Sequence, residues 1–495
     1  MKGFTDMRSD RYKKEKEKQT AKKNKGFRVL SIIYSILVIC FIASLLWLNV
    51  LPAEYLYPLI GVIVVISLFI VPVMYSKNGK KNRKKIAAFF AVLFMVLFGI
   101  GTYYMTATIG FFNAITSIGG TSEDFYLVVK ADSSYDEAGQ LSGKTVATYA
   151  TADTSYAKAK TKLQDEVSVE YSYIESIPDL LDGLLDEDYP AIFISAATYD
   201  TMKESDSQLE TETKIIHTIS VKVQSSRTTK HVDVTDESFN ILVSGLDTTG
   251  DISTVSRSDV NMVVTINPVT KQILLTSIPR DYYVDLPSKG AKDKLTHSGL
   301  YGIDETVGAV EQALGIEINY YVKVNYSTVV KLVDAIGGID IYSPYTFTTH
   351  GMTDHYTFYE GENHLDGSMA LAYSRERQSF SAGDMQRNEN QQLILKAIMD
   401  KALQSSTILS DYTSILSAIE DNLETDMGSR DIRALIRMQL GDMASWDIQT
   451  QALKGEPDFQ ICYALGTGAS VVMPDAALIA EAADKIMQIS GETTQ

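Results

Sequence analysis

Three apolar runs near the start decide where this chain can reside. "VLSIIYSILVICFIASLLWLNVL" (Val29–Leu51), "YLYPLIGVIVVISLFIVPVMY" (Tyr55–Tyr75) and "IAAFFAVLFMVLFGIGTYYM" (Ile86–Met105) contain no charged side chain. Each holds about 20 residues, the helical length that crosses a hydrocarbon core of roughly 30 Å. A cleaved signal peptide would be one shorter run, so the three predict a multi-pass anchor in the lipid bilayer. The flanks set its orientation. The tail "RYKKEKEKQTAKKNKGFR" and the second loop "SKNGKKNRKK" are basic, whereas the turn "PAE" carries no Lys or Arg. Positive flanks stay in the cytoplasm. The tail (1–28) is therefore expected inside, the spans within 29–110, and the chain beyond about Thr106 outside the cell membrane.

The charge distribution agrees with this division. Residues 1–85 hold 17 Lys/Arg against 5 Asp/Glu, a net +12, and the remainder holds 28 against 57, a net -29. Such a split implies that the two parts face different surroundings. Lysines beside a first span serve topology, so the tail is not read as a nucleic-acid arm and no nucleic-acid partner is expected. The acidic outer surface is read as a solvated face. The two cysteines, Cys40 and Cys462, lie in an apolar run and late in the chain, so no intramolecular disulfide is expected.

Outside the membrane the sequence alternates strand-like and helix-like segments, the signature of α/β architecture. A Gly/Ser/Thr-rich joint precedes a small accessory domain (122–225). "DFYLVVKA", "KTVATYA", "VSVEYSY" and "YPAIFIS" read there as strands, and "TSYAKAKTKLQDE" and "IPDLLDGLLDED" as helices. "LSGKTVATYA" is not a phosphate-binding loop, because that spacing needs glycine where Ala138 stands. The element order is similar to half of an extracellular solute-binding protein, a likeness of fold only. After the linker "SSRTTKHVDVTDES" a second α/β domain is expected over 236–495. "FNILVSGL", "NMVVTIN", "QILLTSI" and "INYYVKVN" are nearly continuous apolar strands, as in a sheet covered on both faces. Helices are expected at "ETVGAVEQAL", "YSTVVKLVDAI", "DGSMALAYS" and "DMQRNENQQLILKAIMDKALQ".

Charged residues stand where those strands run out. Asp247 follows "ILVSGL", Arg257 and Asp259 precede "NMVVTIN", and Arg280 and Asp281 follow "LLTSI". Lys294 lies in "KDKLTH", and Arg375 and Arg377 lie in "YSRER". Asp384 is the expected N-cap of the long helix, which presents Asp384, Arg387 and Gln391 on one face. Ligands of such sheets bind beyond the strand ends. Converging arginines need an anion to offset them, and planar guanidinium groups suit phosphate oxygens. Carboxylates in the same cleft make sense if a hard divalent cation joins them to phosphate. Strand-end Arg–Asp pairs are also common structural ion pairs, and spacing alone does not show convergence.

The motifs "NILVSGLD", "SRSDVNMVVTINP", "LLTSIPRDYYVDLP", "KLTHS", "VDAIGGIDI", "LDGSMALAYSRER" and "GDMQRNENQQ" closely resemble, in order, those of the LytR-CpsA-Psr family of membrane-anchored phosphotransferases. With its three spans and extra outer domain the chain resembles the capsule-biosynthesis subgroup. The resemblance implies an α/β/α catalytic domain around a central mixed sheet. It also implies Mg²⁺-dependent transfer of a glycopolymer from a polyprenyl pyrophosphate carrier to peptidoglycan through a phosphodiester, with Mn²⁺ as a substitute ion. Asp247 and Asp259 would be the metal-associated carboxylates. Arg257, Arg280, Arg375, Arg377, Arg387 and Gln391 would hold the pyrophosphate, with Lys294 and Asp384 close by. Arg257, Asp259, Arg280 and Asp281 would form the catalytic group, Asp281 chiefly orienting Arg280 and Asp259 favoured as base. Asn390 departs from the family, where arginine is common. Other membrane proteins of polysaccharide assembly are further candidate partners. Transfer and hydrolysis differ only in which hydroxyl attacks, and a non-catalytic regulator or scaffold is the alternative reading. The six histidines lack metal-type spacing, and His297, His350, His355 and His364 are expected in solvated loops. The aromatic stretch "YSPYTFTTHGMTDHYTFYEG" fits an acceptor cleft or a surface loop equally.

Overall fold

The computed structural model describes residues 2–76, 80–116, 121–206, 208–223, 227–246, 252–350, 354–381, 383–403, 415, 418, 420 and 422–491. The chain forms two compact units, Met1–Asn113 with Ile432–Met443, and Ala114–Asp431 with Ala444–Gln495.

The first unit contains α1 (Lys2–Leu48), α2 (Ala53–Tyr75) and α3 (Lys81–Thr116). Lys25–Leu48, Ala53–Tyr75 and Lys81–Thr116 are long and apolar enough to cross a membrane. They pack through Tyr34, Leu45, Ile63, Met74, Ala91 and Phe98, while Trp47, Phe69 and Phe89 point outward. The third helix runs past the expected Met105. Its threonines do not break it, because Thr102, Thr106 and Thr108 donate to carbonyls four residues back. Arg433 and Arg437 donate to the carbonyls of Trp47 and Asn49, which the helix end leaves without intrahelical donors.

The second unit contains two sheets. The first comprises β1 (Thr121–Lys130), β2 (Thr145–Tyr149), β3 (Glu170–Ile174), β4 (Ile192–Ser195) and β5 (Thr213–Val223), in the order β3-β2-β4-β1-β5. Helices α4 (Thr154–Glu166), α5 (Ile177–Leu185), α6 (Ala196–Ser205) and the short α7 (Gln208–Glu212) accompany it. Asp153, Ser176 and Ser195 cap the first three, accepting from backbone N–H groups of the first turn.

The larger sheet comprises β6 (Phe239–Leu246), β7 (Ser258–Asn267) and β8 (Gln272–Ile278). The hairpin β9 (Tyr283–Leu286) and β10 (Ala291–Lys294) then leads into the short helix α8 (Leu295–Ser298) and α9 (Ile303–Leu314). Strand β11 (Tyr320–Val324) pairs parallel to β6, and α10 (Tyr326–Ala335) starts at an Asn325 capping box. Strands β12 (Ile339–Ser343), β13 (Phe347–Thr348), β14 (Thr357–Phe358) and β15 (Gly361–Leu365) form two small hairpin-like pairs outside the main sheet. Then follow α11 (Gly367–Arg375), α12 (Asp384–Ala402), β16 (Leu423–Thr425), α13 (Ser429–Asp442), β17 (Asp447–Ala452), β18 (Gly455–Cys462), β19 (Thr467–Pro474) and α14 (Ala476–Ser490).

The resulting sheet is mixed, ordered β16-β11-β6-β7-β8-β17. Apolar residues on both strand faces make a double cover favourable. Leu242, Val263 and Leu274 pack under α9 and α14. Met262, Val264 and Leu275 pack under Leu395 and Met399 of α12. Because β7 is antiparallel to its neighbours, its start lies beside the ends of β6 and β8. The end of β11 reaches the same edge, with Val324 opposite Gly245. That alignment brings residues remote in sequence to one rim.

Candidate active site

At the rim Asp259 is buried, and both its oxygens are engaged. Its Oδ2 accepts from Arg280 Nη1 at 2.8 Å and its Oδ1 from Thr296 Oγ1 at 2.8 Å. Asp281 lies between Arg280 Nε (3.7 Å) and Lys294 Nζ (3.2 Å). From the start of α12, Asp384 Oδ1 is 3.1 Å from Arg387 Nη2 and 3.7 Å from Arg377 Nη1. The Arg375 guanidinium lies over the Tyr326 ring, 4.2 Å from its centroid.

Asp259, Arg280, Tyr326, Arg375, Arg377 and Arg387 border a cavity of about 350 Å³. One face of α12 shows its character: Arg387 and Gln391 line it first, followed by Ile394, Leu395 and Ile398. Spacings of three and four place all five on one stripe. The opposite wall changes in the same way, from Asp259 and Arg280 to Met262, Val243 and Val324. The cavity is therefore cationic at one end and apolar along its length.

The cationic end is under electrostatic load. Burial alone would raise the Asp259 carboxyl, but Arg280, Arg257 and Arg387 hold it below the usual carboxylate range. Burial, together with the Arg280 charge, pushes Arg387 below its ordinary value. Arg280 Nε, Arg387 Nε and Nη2, and Asp384 Oδ1 are buried atoms without a hydrogen-bond partner. The 3.1 Å approach of Arg387 to Asp384 is thus an ion pair without hydrogen-bond alignment. Unsatisfied buried guanidinium N–H groups are costly, and an anion with several oxygens would satisfy them.

The family model described as the LytR_cpsA_psr family matches residues 192–485, more than half of the chain. The chain belongs to the LytR-CpsA-Psr family. A relative in Enterococcus faecalis named polyisoprenyl-teichoic acid–peptidoglycan teichoic acid transferase TagU is 40% identical over 202 residues, 40% of this chain and 65% of the relative. The TagU of Bacillus mycoides is 37% identical over 192 residues, 39% of this chain and 61% of that one. The chain thus spans less than two thirds of the length of these relatives. Among solved structures, B. subtilis TagV is 30% identical, covering 52% of this chain and 99% of its own at a TM-score of 0.44. The protein gbs0355 of Streptococcus agalactiae is 25% identical, covering 54% and 93% at 0.47.

Against the motifs of the LytR-CpsA-Psr family, the fold gathers Asp259, Arg280, Arg375, Arg377, Arg387 and Gln391 around the cavity. Arg257 acts on Asp259 and Arg280 by charge. Lys294, Asp281 and Asp384 stand behind this wall as ion-pair partners rather than on it. Asp247 falls outside the described residues. Asn390 turns from the cavity and donates to the Tyr373 carbonyl at 3.2 Å.

Two expectations are corrected. Asp384 is not the N-cap of α12: Gly383, at φ 51°, takes that position, and the Asp384 carboxyl is drawn to Arg387 instead. His297 is not solvated, being only 4% exposed and bound through Nδ1 to Asp293 at 2.6 Å. His350 lines the cavity, held by donation of its backbone N–H to the buried Glu376. Sequence reading also missed Tyr326 and Thr296. Tyr326 directly follows the "N" of the α10 cap and Thr296 sits inside "KLTHS", but neither position carries a signal of its role.

The donor set fits a hard divalent cation. Such an ion is commonly held by one or two carboxylates and by phosphate oxygens. Among the described residues Asp259 is the carboxylate on the cavity wall, ionised beside guanidinium groups that call for phosphate.

Proposed function

We propose that this protein transfers a glycopolymer, a capsular polysaccharide, from a polyprenyl pyrophosphate carrier to peptidoglycan, with its catalytic domain outside the cell. The single observation that carries the reading is the cavity's composition. Unsatisfied guanidinium groups meet an apolar channel, matching a ligand that is anionic at one end and hydrocarbon at the other. The names of the relatives, transferases acting between polyisoprenyl-linked teichoic acid and peptidoglycan, support the same chemistry. The three apolar helices would keep the domain beside its lipid substrate.

In this reading Arg280 and Arg387 grip the pyrophosphate, with Arg375 at the end of α11 and Arg377 just beyond it supplying further positive charge. A wall hydroxyl attacks the sugar-bearing phosphorus, and the bond to the bridging oxygen breaks. A phosphodiester forms and polyprenyl phosphate leaves, the hydroxyl proton passing to phosphate oxygen. Asp259 is too strongly paired to be an effective base, so its part is to aim Arg280 and balance charge. Asp259 and Asp247 would be the residues to hold Mg²⁺, whose contribution when bound would be charge neutralisation at the phosphates. Catalysis then rests on positioning and charge stabilisation, as phosphoryl transfer requires.

The test uses the full chain in detergent with a polyprenyl-pyrophosphate-linked oligosaccharide and wall fragments, with Mg²⁺ or chelator present. Mg²⁺-dependent attachment of the sugar to the wall fragment, lost in Arg280→Ala and Arg387→Ala, is expected. Release of free sugar phosphate without attachment would replace transfer by hydrolysis. A folded protein that neither binds nor turns over the lipid would overturn the catalytic reading.

A further inference from the structure

We propose that Asp293, His297 and Cys462 form a second metal site, for a zinc-class divalent ion, behind the wall of the active site. The three residues are 0%, 4% and 0% exposed, and one donor atom from each lies within 4.8 Å of the others. They come from the end of β10, from α8 and from the end of β18. A thiol, an imidazole and a carboxylate together are a borderline-soft donor set, which selects zinc over magnesium.

Charge would balance once an ion is bound. Burial and the Asp293 carboxylate push the Cys462 thiol up to about 12, so a divalent ion would displace its proton, and thiolate and carboxylate would then match the two positive charges. Lys294, the neighbouring cation, is engaged with Asp281 on the other side of the turn. The Asp293 carboxylate is already oriented, its Oδ1 accepting from Lys294 N at 2.7 Å and its Oδ2 from Ala464 N at 2.7 Å. Backbone bonds of this kind are the outer-shell support that metal-binding carboxylates use. An ion would displace the contact of His297 with Asp293 and the hydrogen bonds that the Cys462 thiol makes to Asp293 and to the Gln460 carbonyl.

The position gives such an ion a task. The turn that holds Asp293 and His297 also carries Lys294, paired with Asp281, and Thr296, bound to Asp259. The β18–β19 hairpin that holds Cys462 packs through Leu465 and Val471 against Leu180 and Leu184 of the smaller α/β domain. The ion ties that hairpin to the active-site wall.

The test uses full-length protein with Cys40→Ser, so that Cys462 is the only thiol, stripped with chelator and titrated with Co²⁺. One equivalent with thiolate-to-cobalt charge-transfer absorption is expected, and Zn²⁺ should bleach the band by displacement. Cys462→Ser and His297→Gln should abolish the band and weaken zinc retention by at least about tenfold. If either variant fails to fold, the parent titration decides. A parent without the band, or a band that survives Cys462→Ser in folded protein, overturns the site and leaves a hydrogen-bonded Cys–Asp–His cluster.

Discussion

Asp259 is pushed up by burial and pulled down by three guanidinium groups, and the pull wins. Its bond to Arg280 is therefore structural as well as functional. Arg280→Ala should strand a buried carboxylate and lower unfolding stability by about 3–5 kcal/mol. Adding Asp259→Asn removes the stranded charge and should restore much of that loss, while turnover stays absent. A double-mutant cycle in denaturant reads the coupling directly. Additive effects would show that the pair is not coupled in the folded state. Arg280 and Asp259 were both identifiable from sequence as strand-end charges. Their contact was not, because 20 residues separate them and only the antiparallel register of β7 and β8 closes the gap.

Helix α12 joins two chemistries along one stripe, and the stripe follows directly from its sequence spacing. Ile398 lies at its apolar end. Ile398→Ser should reduce kcat/KM for a long-chain prenyl donor by about tenfold, since each buried methylene is worth roughly 0.8 kcal/mol. A donor with a prenyl chain too short to reach Ile398 should lose little. Equal losses for both donors would place the hydrocarbon chain elsewhere. Helices α10 and α11 were legible because apolar spacing and cap residues agree, whereas α9 and α12 were legible from residue spacing without a side-chain N-cap. Strand β17, "DIQTQA", was not. It is polar and without alternation, and is a strand because it adds in parallel to the edge of β8.

At the scale of the molecule, the smaller α/β domain meets the larger one around Glu123. Lys289 pairs there with Asp153 at 3.6 Å and lies over the Tyr301 ring. Burial, with Asp153 adding to it, raises Glu123 to about 7. A carboxyl raised above its unfolded value of about 4.3 contributes stability that is complete below that value and lost as pH rises through 7. Glu123→Gln should therefore flatten the stability profile between roughly pH 4 and 7 and stabilise the protein at pH 8, by up to about 3 kcal/mol. Thermal unfolding across pH checks this, and an unchanged slope would remove Glu123 from the interface account. Orientation is testable in whole cells. An impermeant thiol reagent should label cysteine placed at exposed Asp132 and should not label one at Asn82 in the first turn of α3. The reverse pattern would invert the topology.

The sequence by itself determined the anchor, the alternation of strands and helices, and the chemical types at the strand ends. Each is a local property: run length, period, and the residue that follows an apolar segment. Only the tertiary structure decided which of those charges meet. It put Asp384 beside Arg387 instead of on the helix cap, turned Asn390 toward Tyr373, and buried His297 against Asp293 beside Cys462. These outcomes depend on strand register and helix packing, which in the case of Cys462 and Asp293 join residues more than a hundred positions apart. No spacing within one segment encodes a distance of that kind.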